Sequence, residues 1–241
     1  MRAMTLQADP VPILNDNYAW LLRDGGATAI VDPADAEACI AAIERSGGRL
    51  DMVLITHHHA DHVAGVDAVR ARYGCPVVGA GADARRLPRL DRAVAEGDEV
   101  VLGSAKLRVL DTPGHTVGHI AYAGADVALC GDTLFSLGCG RLLEGTVEDM
   151  FGSLRKLAAL PADTLVCCGH EYTQSNARFA LHVDGSNAAL QARAAEVHRL
   201  RAAGRPTVPS RLQDELQTNP FLRAPDVHTL GQLRSQKDQF R

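Results

Sequence analysis

The stretch THHHADH, residues 56–62, holds four histidines and an aspartate in seven positions. A lone histidine is usually an ordinary surface or core residue, but imidazole and carboxylate together are the donors a borderline divalent metal prefers. His57 and His59, two apart, project to one side of an extended turn, and Asp61 and His62 follow at the start of the next helix. Three further candidates stand far away in the chain: His115 in DTPGH, Asp132 in CGDT and His170 in CGHEYT. The full set is five imidazoles (57, 59, 62, 115, 170) and two carboxylates (61, 132). One zinc-like ion takes about four ligands, and a catalytic one keeps a position for water. Seven side chains exceed that need and suit two ions if a carboxylate bridges them. No cysteine belongs to the set, which argues against a purely structural zinc site. Metal-assisted hydrolysis is the chemistry such a pair supports. A serine nucleophile does not compete, because GxSxG is absent.

These donors need rigid elements behind them. MVLI runs into the histidine cluster, KLRVLDTPGH ends at His115, DVALCGD at Asp132 and TLVCCGH at His170. Each reads as a short buried strand with its donor at the C-terminal end, where open sheets place their ligands. YAWLL and ATAIVDP read as a hairpin turned by RDGG. Helices are expected over 34–45, 63–73 and 147–160, the last N-capped by Thr146. Strands interleaved with helices predict an α/β layering in which helices cover sheet. From residue 176 the text turns helical, through NAALQARAAEVHRLRAAG closed by Gly204, a GRPTVPS linker, RLQDELQT capped by Ser210, and a last helix over 227–240. The expected organisation is therefore a metal-binding part, 1–172, and a helical substrate-binding part, 173–241.

Composition narrows the partners. Hydrophobic residues make up 46% of 241, enough for a substantial core, while aromatics are only 4% and the net charge is −4. Nucleic acid and anionic membranes call for a basic field that this chain lacks. The N-terminal MRAMTLQADPVPILNDN has no secretory apolar run, and no segment approaches the ~20 apolar residues of a bilayer span. The six cysteines, at 39, 75, 130, 139, 167 and 168, form no CxxC pair. They read as small buried thiols in a reducing compartment, so a cytoplasmic protein is expected, with a monomer as the default state.

HxHxDH at 57–62, GH at 115, GDT around Asp132 and GHEYT from 169 resemble the metallo-β-lactamase superfamily. DTPGHTVGHI, GDTLFSLGCGRLLEGT, GHEYTQSNARFA, TNPFLR and KDQF narrow that resemblance to the hydroxyacylglutathione hydrolases (glyoxalase II), and the matching phrases span almost the whole chain. The resemblance implies a four-layer αββα sandwich with a helical C-terminal segment. It assigns His57, His59 and His115 to a first metal and Asp61, His62 and His170 to a second, with Asp132 bridging. The ions would be two divalent metals, zinc foremost, with iron and manganese also suited to these donors. Asp61 and Asp132 are the carboxylates expected to act in catalysis, Asp61 by orienting the attacking water. His58 and His119 are not ligands in the family pattern, and His119 is expected to hydrogen-bond near the site.

The implied reaction is hydrolysis of S-(2-hydroxyacyl)glutathione, typically S-D-lactoylglutathione, to glutathione and D-lactate, the second step of methylglyoxal detoxification. A lactonase or an iron-dependent glutathione persulfide dioxygenase of the same superfamily is the alternative. In the family, basic and tyrosyl groups hold the carrier's glycine carboxylate; here Arg141, Tyr172, Arg234 and Lys237 fill those places. Arg234 and Lys237 are three apart and share a helix face. Leu143 stands where many members carry tyrosine, which removes one hydrogen bond to the carrier.

Overall fold

The computed structural model describes residues 6–240; residues 1–5 of the N-terminal stretch read above, and Arg241, lie outside them. One six-stranded sheet comprises β1 (Gln7–Ile13), β2 (Asn17–Asp24), β3 (Ala27–Val31), β4 (Met52–Leu54), β5 (Val77–Ala80) and β6 (Arg92–Val94), paired in that order. β1, β2 and β3 are antiparallel, and β3 to β6 run parallel. The second sheet takes β7 (Glu99–Leu102), β8 (Ala105–Asp111), β9 (Ile120–Gly124) and β10 (Val127–Gly131). A two-stranded ribbon follows, β11 (Leu134–Phe135) with β12 (Gly138–Cys139), before β13 (Leu165–Cys168) and β14 (Ser210–Arg211) complete that sheet beyond β10.

β3, β5, β9 and β10 are buried at nearly every residue, so both faces of each sheet must be covered. The inner faces cover each other. Trp20 on β2 donates its indole N–H to Cys168 O at 2.9 Å, and the Tyr122 hydroxyl on β9 donates to Ile55 O at 3.0 Å. Helices α1 (Ala36–Arg45), α2 (Ala60–Val63) and α3 (Val66–Tyr73) belong to the first sheet, and α4 (Val147–Ala158) buries Met150, Leu154 and Leu157 in the core with the second. The result is the αββα layering. α5 (Thr173–Asp184), α6 (Ala188–Ala202), α7 (Leu212–Thr218) and α8 (Val227–Gln239) follow. Phe179, Leu212, Phe221 and Leu230 from this helical part join the main core, while Leu137, Ala177, Ala180 and Leu190 form a small cluster of their own. No helix among the described residues is long and apolar enough to cross a membrane.

Most expected elements form, with local differences. Thr146 caps α4 in a full capping box with Asp149. The helix expected over 63–73 begins earlier, at Ala60, and breaks before Val66, so Asp61 and His62 stand in a separate one-turn helix. Ser210 does not cap α7: its backbone pairs with Val166 as strand β14, and Arg211 occupies the cap position. β1 escapes sequence reading because Pro10 and Pro12 lack N–H donors, and a strand tolerates them only at a sheet edge, where β1 lies. All six cysteines are free and buried.

Candidate metal centre and substrate pocket

Strand ends of both sheets converge on one edge of the sandwich. His57 and His59 follow β4, with Asp61 and His62 in α2; His115 follows β8, Asp132 follows β10, and His170 follows β13. Backbone bonds lock these ends together: Ile120 N to Thr56 O and Gly169 N to Gly131 O, each 2.9 Å. Gly131 is required there, since its φ is +45° and a Cβ would stand 2.4 Å from Thr56 Oγ1.

The donors fall into two groups, His57 with His59 and His115, and Asp61 with His62 and His170, the ligand atoms of each lying within 4.8 Å of one another. In the first, His57 Nε2 and His115 Nε2 approach His59 Nδ1 at 3.1 and 3.0 Å. In the second, His62 Nε2 and His170 Nε2 are 3.4 Å apart, and Asp61 Oδ2 is 3.5 Å from His170 Nε2. Asp132 spans the groups: Oδ1 lies 3.3 Å from His62 Nε2, while Oδ2 lies 3.3 Å from His170 Nε2 and 3.5 Å from His115 Nε2.

Outer partners set the tautomers. His115 Nδ1 lies 2.9 Å from Arg141 O, an acceptor only, so its proton resides there and the Nε2 lone pair faces the cluster. His62 Nδ1 meets Asp32 Oδ2 at 3.0 Å and His170 Nδ1 meets Asp16 Oδ1 at 2.9 Å, with the same consequence. His57 Nδ1 contacts the Thr56 hydroxyl, which donates to Asp32. In the neutral rings these tautomers aim lone pairs at the cluster, and buried Asp132 Oδ1 has only His62 Nε2, 3.3 Å away, as a neighbour. Such a cluster calls for cations, and the fit to two divalent ions is good. A third close group, Asp32 with His57 and His62, is accounted for differently, because both Asp32 oxygens already accept from Thr56.

Electrostatics separate the two groups: burial opposes protonation, but carboxylates led by Asp132 outweigh it and raise His62 and His170 above the ordinary imidazole value, protons that a bound cation would displace. Burial resists ionisation of Asp132, but His62 and His170 outweigh it and hold the carboxyl well below its usual range. Burial, together with the His62 and His119 imidazoles, pushes His57 well below its ordinary value. His119 is lowered to about 3, chiefly by burial and then by His115. It stays neutral, with Nε2 accepting the Asp132 backbone N–H at 3.1 Å and Nδ1 facing the Thr112 hydroxyl at 2.9 Å. His119 therefore holds the Asp132 backbone, as an accessory beside the site. His58 points away from the donors, toward Asp83.

A cavity of about 390 Å3 opens beside the centre, and His115 and Asp132 line it together with Arg141, Tyr172, Arg234 and Lys237. All four residues expected to hold the carrier meet there. Tyr172 stacks on His170, ring centroids 4.5 Å apart and planes 8° from parallel. Lys237 donates to Ser175 O and Oγ at 3.2 and 3.1 Å. Arg234 is buried, donates to Cys139 O and Asp238 at 2.8 Å each, and leaves its Nε without a partner. Leu143 is exposed and is not among the cavity's lining residues.

Reading the sequence for ligands alone missed the residues behind them: Asp16, Asn17, Asp32, Thr56, Ser175 and Asp238. Asp32 had a usable signal, since it directly follows β3 just as the donors follow their strands. Asn17, whose amide donates to Asp61 O and Oδ2 at 3.1 Å each, sits at the start of β2 and carried none.

A paired His/Asp centre at the joined ends of two face-to-face sheets defines a metallo-β-lactamase-type metalloenzyme with a dinuclear divalent-metal site, and the family model "Metallo-beta-lactamase superfamily" matches residues 14–170. Solved structures of that fold superpose well. The Myxococcus xanthus protein ETHE1 gives a TM-score of 0.70 at 25% identity, covering 96% of this chain and 90% of its own. TTHA1623, solved in a di-iron-bound form, gives 0.60 at 29% identity over 67% of this chain and 91% of its own. Residues 171–240 match the model "Hydroxyacylglutathione hydrolase C-terminus". The hydroxyacylglutathione hydrolase of Acidiphilium cryptum is 61% identical over 95% of each chain, and that of Rhodospirillum rubrum 55% identical over 91% of this chain and 88% of its own. The chain belongs to the hydroxyacylglutathione hydrolase family.

Proposed function

We propose that this chain hydrolyses the thioester of S-(2-hydroxyacyl)glutathione, S-D-lactoylglutathione foremost, releasing glutathione and D-lactate as the second step of methylglyoxal detoxification. One observation carries the reading: a single cavity is lined by members of the donor cluster and by a group of cations suited to a carboxylated thiol carrier. His57, His59 and His115 would hold one ion and Asp61, His62 and His170 the other, with Asp132 between the two groups. Zinc is the ion these donors favour, and the di-iron form of TTHA1623 makes iron a reasonable occupant too. Residues 1–172 supply the donor cluster together with Arg141 and Tyr172, and 173–241 supply Arg234 and Lys237. The net charge of −4 offers nucleic acid no basic field, and we read the chain as a cytoplasmic monomer acting on a small molecule.

When bound, the ions supply a water whose pKa falls from about 15.7 toward about 7 and polarise the thioester carbonyl. The protein's own groups do the rest. Asp61, its carboxylate fixed by the Asn17 amide, orients the attacking water. Arg141 and Lys237 bind the carrier's glycine carboxylate, and buried Arg234 adds positive field behind them. Tyr172, stacked on His170, flanks the carrier close to the reacting end. The thiolate departs without a strong general acid, because its parent thiol has a pKa of about 8.5.

The test is turnover of S-D-lactoylglutathione by purified protein whose metal content is measured in parallel. Free glutathione should appear at steady state from protein holding two metals per chain. Protein with both metals bound and no turnover overturns the reading.

A further inference from the structure

Four charged or titratable groups outside both the donor cluster and the carrier grip form a continuous chain along the rim. His58 Nδ1 lies 3.0 Å from Asp83 Oδ2, and Asp83 accepts from Arg86 Nε through its other oxygen. The two Arg86 amino groups fork onto Glu144 at 2.5 and 3.1 Å. Glu144 Oε2 in turn accepts the backbone N–H of Val117 at 3.0 Å, and its Oε1 lies 3.5 Å from His58 Nε2, closing the circuit. Asp83 is buried, and the backbone at Gly118 packs so closely that a Cβ would stand 2.6 Å from the Asp83 carboxyl carbon.

The circuit joins three loops: 56–59, which carries His57 and His59; 112–119, which carries His115; and 140–145, which carries Arg141. Arg141 belongs to both sites, for its carbonyl fixes the His115 ring while its side chain lines the carrier cavity. Gly145 N also bonds Gly114 O at 3.1 Å, so loop 140–145 rests directly on the loop bearing His115. None of the four touches the donors of the second group.

We infer that Arg86 and Glu144, with His58 and Asp83, are positioning residues that hold loop 140–145 so that Arg141 orients His115 with its backbone and meets the carrier with its side chain. The circuit thereby couples retention of the first metal to carrier affinity. His58, the middle histidine of the cluster, becomes the anchor of the circuit on the metal-binding loop. This inference rests on the dinuclear reading above.

The test uses full-length protein loaded with two zinc ions and diluted into excess chromophoric chelator. In Glu144→Gln and Arg86→Ala, one of the two ions should leave faster by about tenfold to a hundredfold, the range expected when a partner behind a ligand is lost. The other ion should keep its parental rate. KM for S-D-lactoylglutathione should rise in the same variants, and Arg86→Lys, which keeps a charge but not the fork, should fall between Arg86→Ala and the parent. Should Arg86→Ala fail to fold, Glu144→Gln and His58→Asn carry the same expectation. Parental release of both ions, or equal acceleration of both, overturns the inference. The zinc count before dilution checks the dinuclear reading, and release is followed without substrate, so neither depends on turnover.

Discussion

The donors of the metal centre stand at the ends of four strands drawn from both sheets, each histidine of the second group backed by a carboxylate of its own. The carrier pocket instead takes Arg141 from a loop, Tyr172 and Ser175 from the start of α5, and Arg234 and Lys237 from α8. His57, His62 and His170 are buried, whereas Tyr172 is 38% exposed and the Arg141 side chain 73% exposed. Reacting atoms demand placement to a fraction of an ångström, so the chemistry is built on sheet termini, where backbone pairing fixes position. The charges that line the cavity sit on long side chains, and charge tolerates looser geometry. The two regions should therefore fail differently when mutated.

The largest expected effect is at the shared wall. Asp132→Ala should lose at least one metal per chain by elemental analysis, with near-complete loss of turnover, because the carboxylate that spans the two groups is gone. A fully active variant would end the bridging assignment. Arg234→Ala with Lys237→Ala should act on binding alone. Charge-assisted hydrogen bonds are worth about 1.5–3 kcal/mol, and Lys237 is partly exposed, so steady-state kinetics should show KM rising about 10–100-fold, with kcat little changed and metal content intact. An unchanged KM would remove the clamp.

A smaller effect follows from acidity. Burial, then Arg234, Arg178 and Arg141, lowers Lys237 to about 8. Its ammonium is complete below that pH and is lost above it, so KM should be flat below about pH 8 and climb beyond it. Lys237→Arg should flatten the climb, since guanidinium stays charged. The same climb in the arginine variant would place the titration elsewhere. Smallest of all is Leu143→Tyr. Leu143 is exposed and outside the cavity lining, so KM and kcat should both stay near parental values, and a clear fall in KM would place position 143 within reach of the carrier.

The contrast between the two regions also explains what could be read from the sequence. The donor candidates were legible because four apolar runs each end at or lead into them, so strand and donor are adjacent in the text. The same runs predicted only an α/β layering with helices over sheet, the αββα order came from the resemblance, and β1, with its two prolines, did not announce itself. The cationic lining of the cavity was legible only through resemblance, because nothing local to RSQKDQF distinguishes a binding helix from a charged terminal one. Least visible were residues that act through others. Glu144 reaches Arg86, 58 positions earlier, and Asp16 reaches His170, 154 later. Such pairings exist only once the sheets have closed, and no spacing in the chain records them.

The central claim, that one cavity joins a dinuclear centre to a carrier grip, is tested most directly by comparing two thioesters. The kcat/KM of metal-loaded protein should be measured for S-D-lactoylglutathione and for the D-lactoyl thioester of N-acetylcysteamine, which keeps the reacting bond and lacks the carrier's carboxylates. The account predicts that glutathione is preferred by about a hundredfold or more, the scale of one charge-assisted pair or two. It also predicts that Arg234→Ala with Lys237→Ala removes most of that preference. Equal kcat/KM for the two thioesters in the parent protein would contradict it.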